Sequence, residues 1–423
     1  MSEPTLTQVE LQHAEETAET GGLAQAARDY VAKVKGGDVG ALPAVLGLIV
    51  LALVFTALRP GPFTGAFNFA NYINQGAGVI VIAMGLVFVL LLGEIDLSAG
   101  YTAGTAAAVM GIAVTRHGWP WWAGIVACLA TGALIGTGIG LLVARLGIPS
   151  FVVTLAAFLG LQGVLLYLIG EGGTIPIRDD TLLAVMNKNL PVWLGWTLYL
   201  VTIALYGFLS FRRLASRRAA GLHAEAPAVW AVKFISIAVV LGLGTYYLSV
   251  ERSKNTAITS IKGVPMSVPV LLVLAVILSF LLTRTRWGRH VYAIGGNAEA
   301  ARRAGINVAA VRLSCFIMCS TVAAIAGILL ASRDNSVSPT TGGQTTLLYA
   351  VGAAVIGGTS LFGGKGRIID PIIGGLVVAV INNGMGLLGL SAAVVYMVTG
   401  LVLLVAASVD AVSRRRAAST GRA

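Results

Sequence analysis

Charge is scarce in this sequence. Asp, Glu, Lys and Arg together make up 11% of its 423 residues, against about 25% in an ordinary water-soluble domain. That deficit excludes a soluble globular fold. Histidine is almost missing, and His13, His117, His223 and His290 are scattered among polar stretches. No zinc-spaced pair exists. The three cysteines, Cys128, Cys315 and Cys319, all lie inside apolar runs. They read as small buried hydrophobes, with neither a disulfide framework nor a metal site. Nucleophile elbows and paired catalytic acids are absent too. GGTSLFGGKGR (357–367) looks like a phosphate-binding loop but fails as one. A G-x-x-x-x-G-K-[ST] pattern ending on Lys365 needs Gly at 359 and Ser or Thr at 366, where the chain has Thr359 and Gly366. This chain is expected to bind no ATP and no cofactor of its own, and to be no enzyme.

What is present is apolar. Hydrophobic residues make up 57% of the chain and the mean hydropathy is +0.86. A membrane span needs about 20 apolar residues, and the runs predict an all-α, polytopic membrane bundle of about 12 (10–12) transmembrane helices. They fall near 41–58, 72–92, 97–115, 119–144, 151–170, 193–211, 229–250, 268–283, 311–331, 347–362, 372–388 and 392–408. The segment 347–362 is short and can be re-entrant. The net charge of +11 does not suggest nucleic acid, because Lys and Arg sit at the ends of apolar runs, where the positive-inside rule places them. An even number of spans with both termini cytoplasmic leaves most basic residues inside, Arg145, Arg212–Arg218 and Arg414–Arg416 among them. Residues 1–40 then form a cytoplasmic tail without a cleavable signal. Within it, 26–39 reads either as an amphipathic surface helix or as a frayed tail. Residues 41–410 form the membrane domain and 411–423 a second cytoplasmic tail. Gly132, Gly136 and Gly140 recur on one helix face, as do Gly100, Gly104 and Ala108, which predicts close helix packing. LLGEIDLSAG (91–100) and VIGGTSLFGG (355–364) share Gly93/Gly357, Leu97/Leu361 and Gly100/Gly364 at one offset, a faint internal echo.

The longest basic interruption is TRTRWGRHVYAIGGNAEAARRAGIN (283–307). Gly295 and Gly296 break what precedes them, and Asn297 is a good N-cap. Glu299 falls in the first turn and Arg302 and Arg303 in the last, complementing the helix dipole. Glu299 also reaches both arginines at i,i+3 and i,i+4, and Gly305 suits a left-handed C-cap. The spacing predicts about two turns of helix around Ala300, too short to stand alone.

GRHVYAIGGNAEAARRAGI (288–306) resembles the cytoplasmic coupling loop of permease subunits in bacterial monosaccharide ABC importers, the ribose, galactose and xylose permease group. The resemblance covers most of 41–410. It implies an ABC importer permease fold in the bacterial inner membrane and a coupling loop over 284–310. By the same analogy Gly295, Gly296, Asn297, Glu299, Ala300, Arg302, Arg303 and Gly305 dock on a separate ATPase subunit. The implied partners are that ATPase with its ATP and Mg, an extracytoplasmic sugar-binding protein, a second copy of the permease, and the lipid bilayer. An inserted helix pair over 191–262 resembles the longer, xylose-type members, which points to a pentose. The alternative is a secondary sugar transporter that needs no ATPase.

Candidates for the solute path are polar residues at membrane depth, where charge is costly. Glu94, Asp96 and Ser98 lie in GEIDLSAG, whose G-x-x-DLS-x-G pattern is typical of the family. Asp96 or Ser98 can instead cap the following helix, and Glu94 can sit at the water interface. Gln162, Asn382 and Asn383 interrupt apolar helices, with Asn74, Gln75 and Thr154 as weaker candidates. Each of these has interhelical hydrogen bonding as its plain reading.

Overall fold

The computed structural model describes residues 40–222 and 224–419, together with Arg28. The segment 26–39, read either as a surface helix or as a frayed tail, lies outside the described residues apart from Arg28. The chain divides into two compact units, one containing residues 191–250 and the other 40–190 and 251–411.

The larger unit is a helical membrane bundle built on two long helices that are apolar on every side, the signature of a buried span. In chain order it holds α1 (Leu42–Leu58), the short α2 (Pro60–Thr64), α3 (Ala66–Leu91), α4 (Ala99–Gly111), which ends in a π-helical turn (Ile112–Arg116), α5 (Trp121–Ala144) and α6 (Ser150–Ile169). Strand β1 (Ile175–Pro176) and α7 (Asp180–Asn187) follow. In α3 every residue from Gly76 to Leu91 is buried.

Beyond the smaller unit, which holds α8 (Val192–Ala219) and α9 (Pro227–Ser249), the chain continues with α10 (Ser267–Arg284), α11 (Arg286–Gly296), α12 (Ala298–Arg303) and α13 (Val308–Asp334). It closes with β2 (Ser336–Val337), α14 (Gln344–Gly357), α15 (Asp370–Leu387) and α16 (Ala392–Ser419). Each expected apolar segment carries a helix. Among the described residues, eight helices are long and apolar enough to cross a membrane, and 42–58, 344–357 and 392–405 are shorter apolar helices.

Small residues set the distances. A methyl group on Gly132 or Gly136 of α5 would stand 2.6 Å from the carbonyl oxygen of Ser320 or Phe316 in α13. The expected glycine face is thus the seam between α5 and α13, where only backbone-to-backbone approach fits. Gly100 and Gly104 of α4 likewise abut the carbonyls of Gly342 and Thr341.

The C-terminal end of α13 is closed by a polar cap. β1 and β2 pair antiparallel, Ile175 opposite Val337. Asp179 caps α7 by accepting from the amides of Thr181 and Leu182 at 2.9 and 3.1 Å, the usual N-cap geometry. Asn187 Nδ2 then donates to the Ser332 carbonyl at 2.8 Å and to Asn335 Oδ1 at 2.7 Å. Residues 251–264 form a tight loop in which Glu251 accepts from Ser260 Oγ at 2.5 Å and the Ile261 amide at 2.7 Å. The buried Arg252 guanidinium donates to the Gly263 carbonyl at 2.9 Å.

The smaller unit is an antiparallel helix pair. α8 and α9 are tied by Trp230 Nε1 donating to Ser210 Oγ (2.9 Å) and Tyr199 OH donating to the Ala238 carbonyl (3.0 Å). Trp230 stacks on Phe234 with centroids 5.4 Å apart.

Candidate functional site

The basic interruption folds into two helices rather than one. Gly295 and Gly296 do not break the preceding chain; they are the last turn of α11. Thr285 caps that helix, its Oγ accepting from the Gly288 amide at 3.1 Å. Gly288, Val291 and Ile294 are buried at i, i+3, i+6, while Arg286, Arg289 and His290 are exposed. This is an amphipathic helix lying on the bundle. The sequence carried its signal in that apolar spacing, which its glycines and flanking charge obscured. Two aromatic anchors hold it. Trp287 Nε1 donates to Ser314 Oγ at 2.7 Å, and Tyr292 OH donates to the Gly366 carbonyl at 2.7 Å. Burial pushes the Tyr292 phenol above its usual range, and the nearby Asp370 carboxylate adds to the effect.

α12 follows without a spacer. Asn297 Oδ1 accepts from the Ala300 amide at 2.9 Å. At the other end Ile306 N donates to the Ala301 carbonyl and Gly305 N to that of Arg302, at 3.1 and 3.0 Å, with Gly305 at φ +82°. That pair of bonds is a Schellman cap, which glycine closes without steric cost. Glu299 reaches Arg302 at 3.3 Å and Arg303 at 3.4 Å. Ala301 alone within the helix is buried. The side chains of Glu299, Arg302 and Arg303 are 58%, 66% and 80% exposed. Ion pairs so open are worth a few tenths of a kcal/mol, so this triad leaves its charges available to another surface. Asn307 restarts the chain as α13, its Oδ1 accepting from the Ala310 amide at 3.0 Å.

The break between α3 and α4 lies beside this element. Glu94 pairs with Arg312 near the start of α13 at 3.3 Å, with 15% of its side chain exposed. Asp96 is fully buried. Its Oδ1 accepts from the Ser98 amide at 2.9 Å and from Ser98 Oγ at 2.6 Å, with the Ala99 amide and the Cys319 thiol also against the carboxylate. Ser98 therefore spends its hydroxyl on Asp96 and does not cap α4; the carboxylate takes that part. Cys315 and Cys319 are buried free thiols.

Most of the remaining path candidates lie elsewhere. Asn383 is buried and forms a reciprocal amide pair with Asn68, at 2.8 and 2.9 Å. Asn382 lies beside the Tyr349 phenol. Asn74 accepts from Ser267 Oγ at 2.6 Å. Thr154 stays beside the break, its Oγ1 lying 2.8 Å from the Ser150 carbonyl and 3.2 Å from that of Ile95. Gln162 sits on an exposed face of α6. Asn68 is near the start of α3 and Glu94 just past its end, so about 23 helical steps, roughly 35 Å at 1.5 Å each, separate the two groups. Within one chain these residues do not converge on a single site. Among the described residues no group of three or more His, Cys, Asp or Glu could hold a metal ion.

The false phosphate loop is a connector. Ser360 N donates to the Lys365 carbonyl at 2.8 Å, and Arg367 pairs with the buried Asp370 at 2.9 Å. Its glycines serve tight backbone packing against α11.

Comparison with known proteins fits this arrangement. The family described as "Branched-chain amino acid transport system / permease component" matches residues 68–407. The xylose transport system permease protein XylH of Escherichia coli K12 is 34% identical over 374 residues, covering 88% of this chain and 92% of its own. The ribose import permease protein RbsC of the same strain is 30% identical over 370 residues, 86% of this chain and 92% of its own. The fructose import permease protein FrcC of Rhizobium meliloti is 30% identical over 379 residues, 89% and 87%. No solved structure matches. With a buried apolar bundle, a capped basic helix pair standing out of it, and relatives matched over nearly their whole length, the chain belongs to the branched-chain amino acid transport system / permease component family, where it is similar to the permeases of sugar importers.

Proposed function

We propose that this chain is the transmembrane permease subunit of an ATP-driven monosaccharide importer in the bacterial inner membrane, with both termini cytoplasmic. The observation that carries the proposal is α12, a capped helix whose charged side chains are exposed and bonded only to one another, mounted on an amphipathic α11 that grips the bundle. A helix of six residues is not stable by itself. Two caps and a buried support hold this one ready for a partner. A separate ATPase subunit binds ATP and Mg and docks on Asn297–Gly305. A second permease copy completes the pore, and an extracytoplasmic binding protein delivers the sugar. The permease catalyses no reaction. A pentose is the preferred cargo, supported by the helix pair over 191–250 and by the similarity to xylose permeases.

The test is reconstitution in vesicles with the neighbouring ATPase and binding protein. Sugar uptake is expected to require nucleotide and all three components, with xylose competing better than ribose or fructose. Uphill uptake by the permease alone, without nucleotide, would establish the secondary-transporter alternative instead.

A further inference from the structure

Coupling demands a stiff path from α11–α12 into the bundle, and a tight backbone contact at Gly295 offers one. Gly295 lies against the Leu91 carbonyl so closely that a methyl group would collide with it, and that methyl would stand 2.8 Å from the Gly364 amide nitrogen. The Gly364 amide donates to the same Leu91 oxygen at 2.9 Å. A methyl on Gly363 would lie 3.0 Å from the Gly93 nitrogen, 3.1 Å from the Leu91 oxygen and 3.2 Å from the Gly295 oxygen. Three backbones thus meet with no side chain between them: the end of α3, the end of α11 and the loop joining α14 to α15. Gly93, Gly363 and Gly364 all have positive φ, +74°, +87° and +73°.

We propose that this junction is the transmission point of the permease, with Gly295 as its positioning residue. Resting on the importer reading above, it names the contact through which that reading works. Side chains would absorb a push by changing rotamer, whereas packed backbone has no such slack and transmits strain. A displacement of α11–α12 moves Gly295 against two segments at once. One is the Gly93–Ser98 break, which leads through Asp96 into the first turn of α4. The other is the 358–369 loop, which leads through Asp370 into α15. Glycine breaks at both places let the segments turn as hinges do. Tyr292 OH on Gly366 and Arg312 on Glu94 hold the junction from either side. The faint echo between 91–100 and 355–364 thereby gains a physical sense, because both segments are helix breaks and they touch each other here.

A glycine away from the junction supplies the control. A methyl on Gly138 of α5 would meet nothing within 4 Å. In the complete complex of permease, ATPase and binding protein, we expect Gly295→Ala to lower sugar moved per ATP hydrolysed roughly tenfold, within the range by which single positions shift coupling. Thermal stability should fall as well, because the methyl meets packed backbone, and Gly138→Ala should match wild type in both. Equal ratios for the two variants would overturn the proposal. Should Gly295→Ala fail to assemble, Tyr292→Phe decides, since it removes one bond and no volume: a lowered ratio supports the junction and a wild-type ratio refutes it. A wild-type complex that moves no sugar on ATP would sink the importer reading itself. A working wild type beside an unaffected Gly295→Ala would sink only the junction.

Discussion

At the residue scale, what a position tolerates depends on what its side chain would touch. Gly136 and Gly138 are two residues apart on α5, yet a methyl on Gly136 meets the Phe316 carbonyl at 2.6 Å and one on Gly138 meets nothing within 4 Å. Gly136→Leu should cost about 1–3 kcal/mol by overpacking, while Gly138→Leu should be silent; thermal unfolding in detergent reads the difference. Asn383→Ala removes the amide pair with Asn68 and leaves Asn68 Nδ2 with the Phe63 carbonyl at 3.1 Å as its remaining partner. Its cost should be near the 0.6 kcal/mol average for interhelical bonds and below about 2 kcal/mol, with transport retained. A larger loss of transport than of stability would favour the solute-path reading of Asn383. Glu251 gives a pH signature. Hydrogen bonds from Ser260 and from the Ser253 and Ile261 amides hold its carboxyl down at about 2. The stabilisation of the 251–264 loop is therefore complete above the ordinary carboxyl range and is lost as the pH falls towards 2. Pepsin nicking of this loop should rise steeply below about pH 3 in wild type. In Glu251→Gln it should be high and flat across the same range.

At the element scale, α12 is the part on which function turns. Proline at Ala300 removes the amide that Asn297 accepts from, and Glu299→Arg turns two ion pairs into like-charge repulsion. Either change should abolish sugar-stimulated ATP hydrolysis in the assembled importer and leave the permease folded in membranes; unaltered stimulation would remove α12 from the ATPase interface. The caps of this helix were legible in the sequence because Asn, Glu, Arg and Gly act there through neighbours three to five residues away. The membrane helices were legible for a similar reason, since an apolar run needs no partner to be seen. What escaped was set by distant chain. The partner of Glu94 was hidden because Arg312 is on another helix. Asn383 stayed open between the solute path and an interhelical bond because Asn68 lies on α3. Helix α11 was missed because glycine and arginine in a short segment mask an apolar face that only packing on Ser314 and Gly366 makes visible.

At the scale of the whole molecule, the 191–250 helix pair is the clearest removable part. It falls in a compact unit separate from the rest of the bundle, and two helices return the chain to the side of the membrane it left. The loop after it belongs with the larger unit, where Leu190 N donates to the Val264 carbonyl at 2.8 Å and Met266 N to that of Lys188 at 3.0 Å. Excision should therefore take 191–250 alone and keep 251–264 intact. We expect the product, joined through a short flexible linker, to remain monodisperse and to assemble with the ATPase; aggregation on size-exclusion chromatography would show that the pair is integral. The burial of Cys128, Cys315 and Cys319 has a practical corollary. Maleimide reagents should find almost nothing to react with in the folded native protein, so one thiol engineered at Arg303 or Ile258 would report its own surroundings against a dark background.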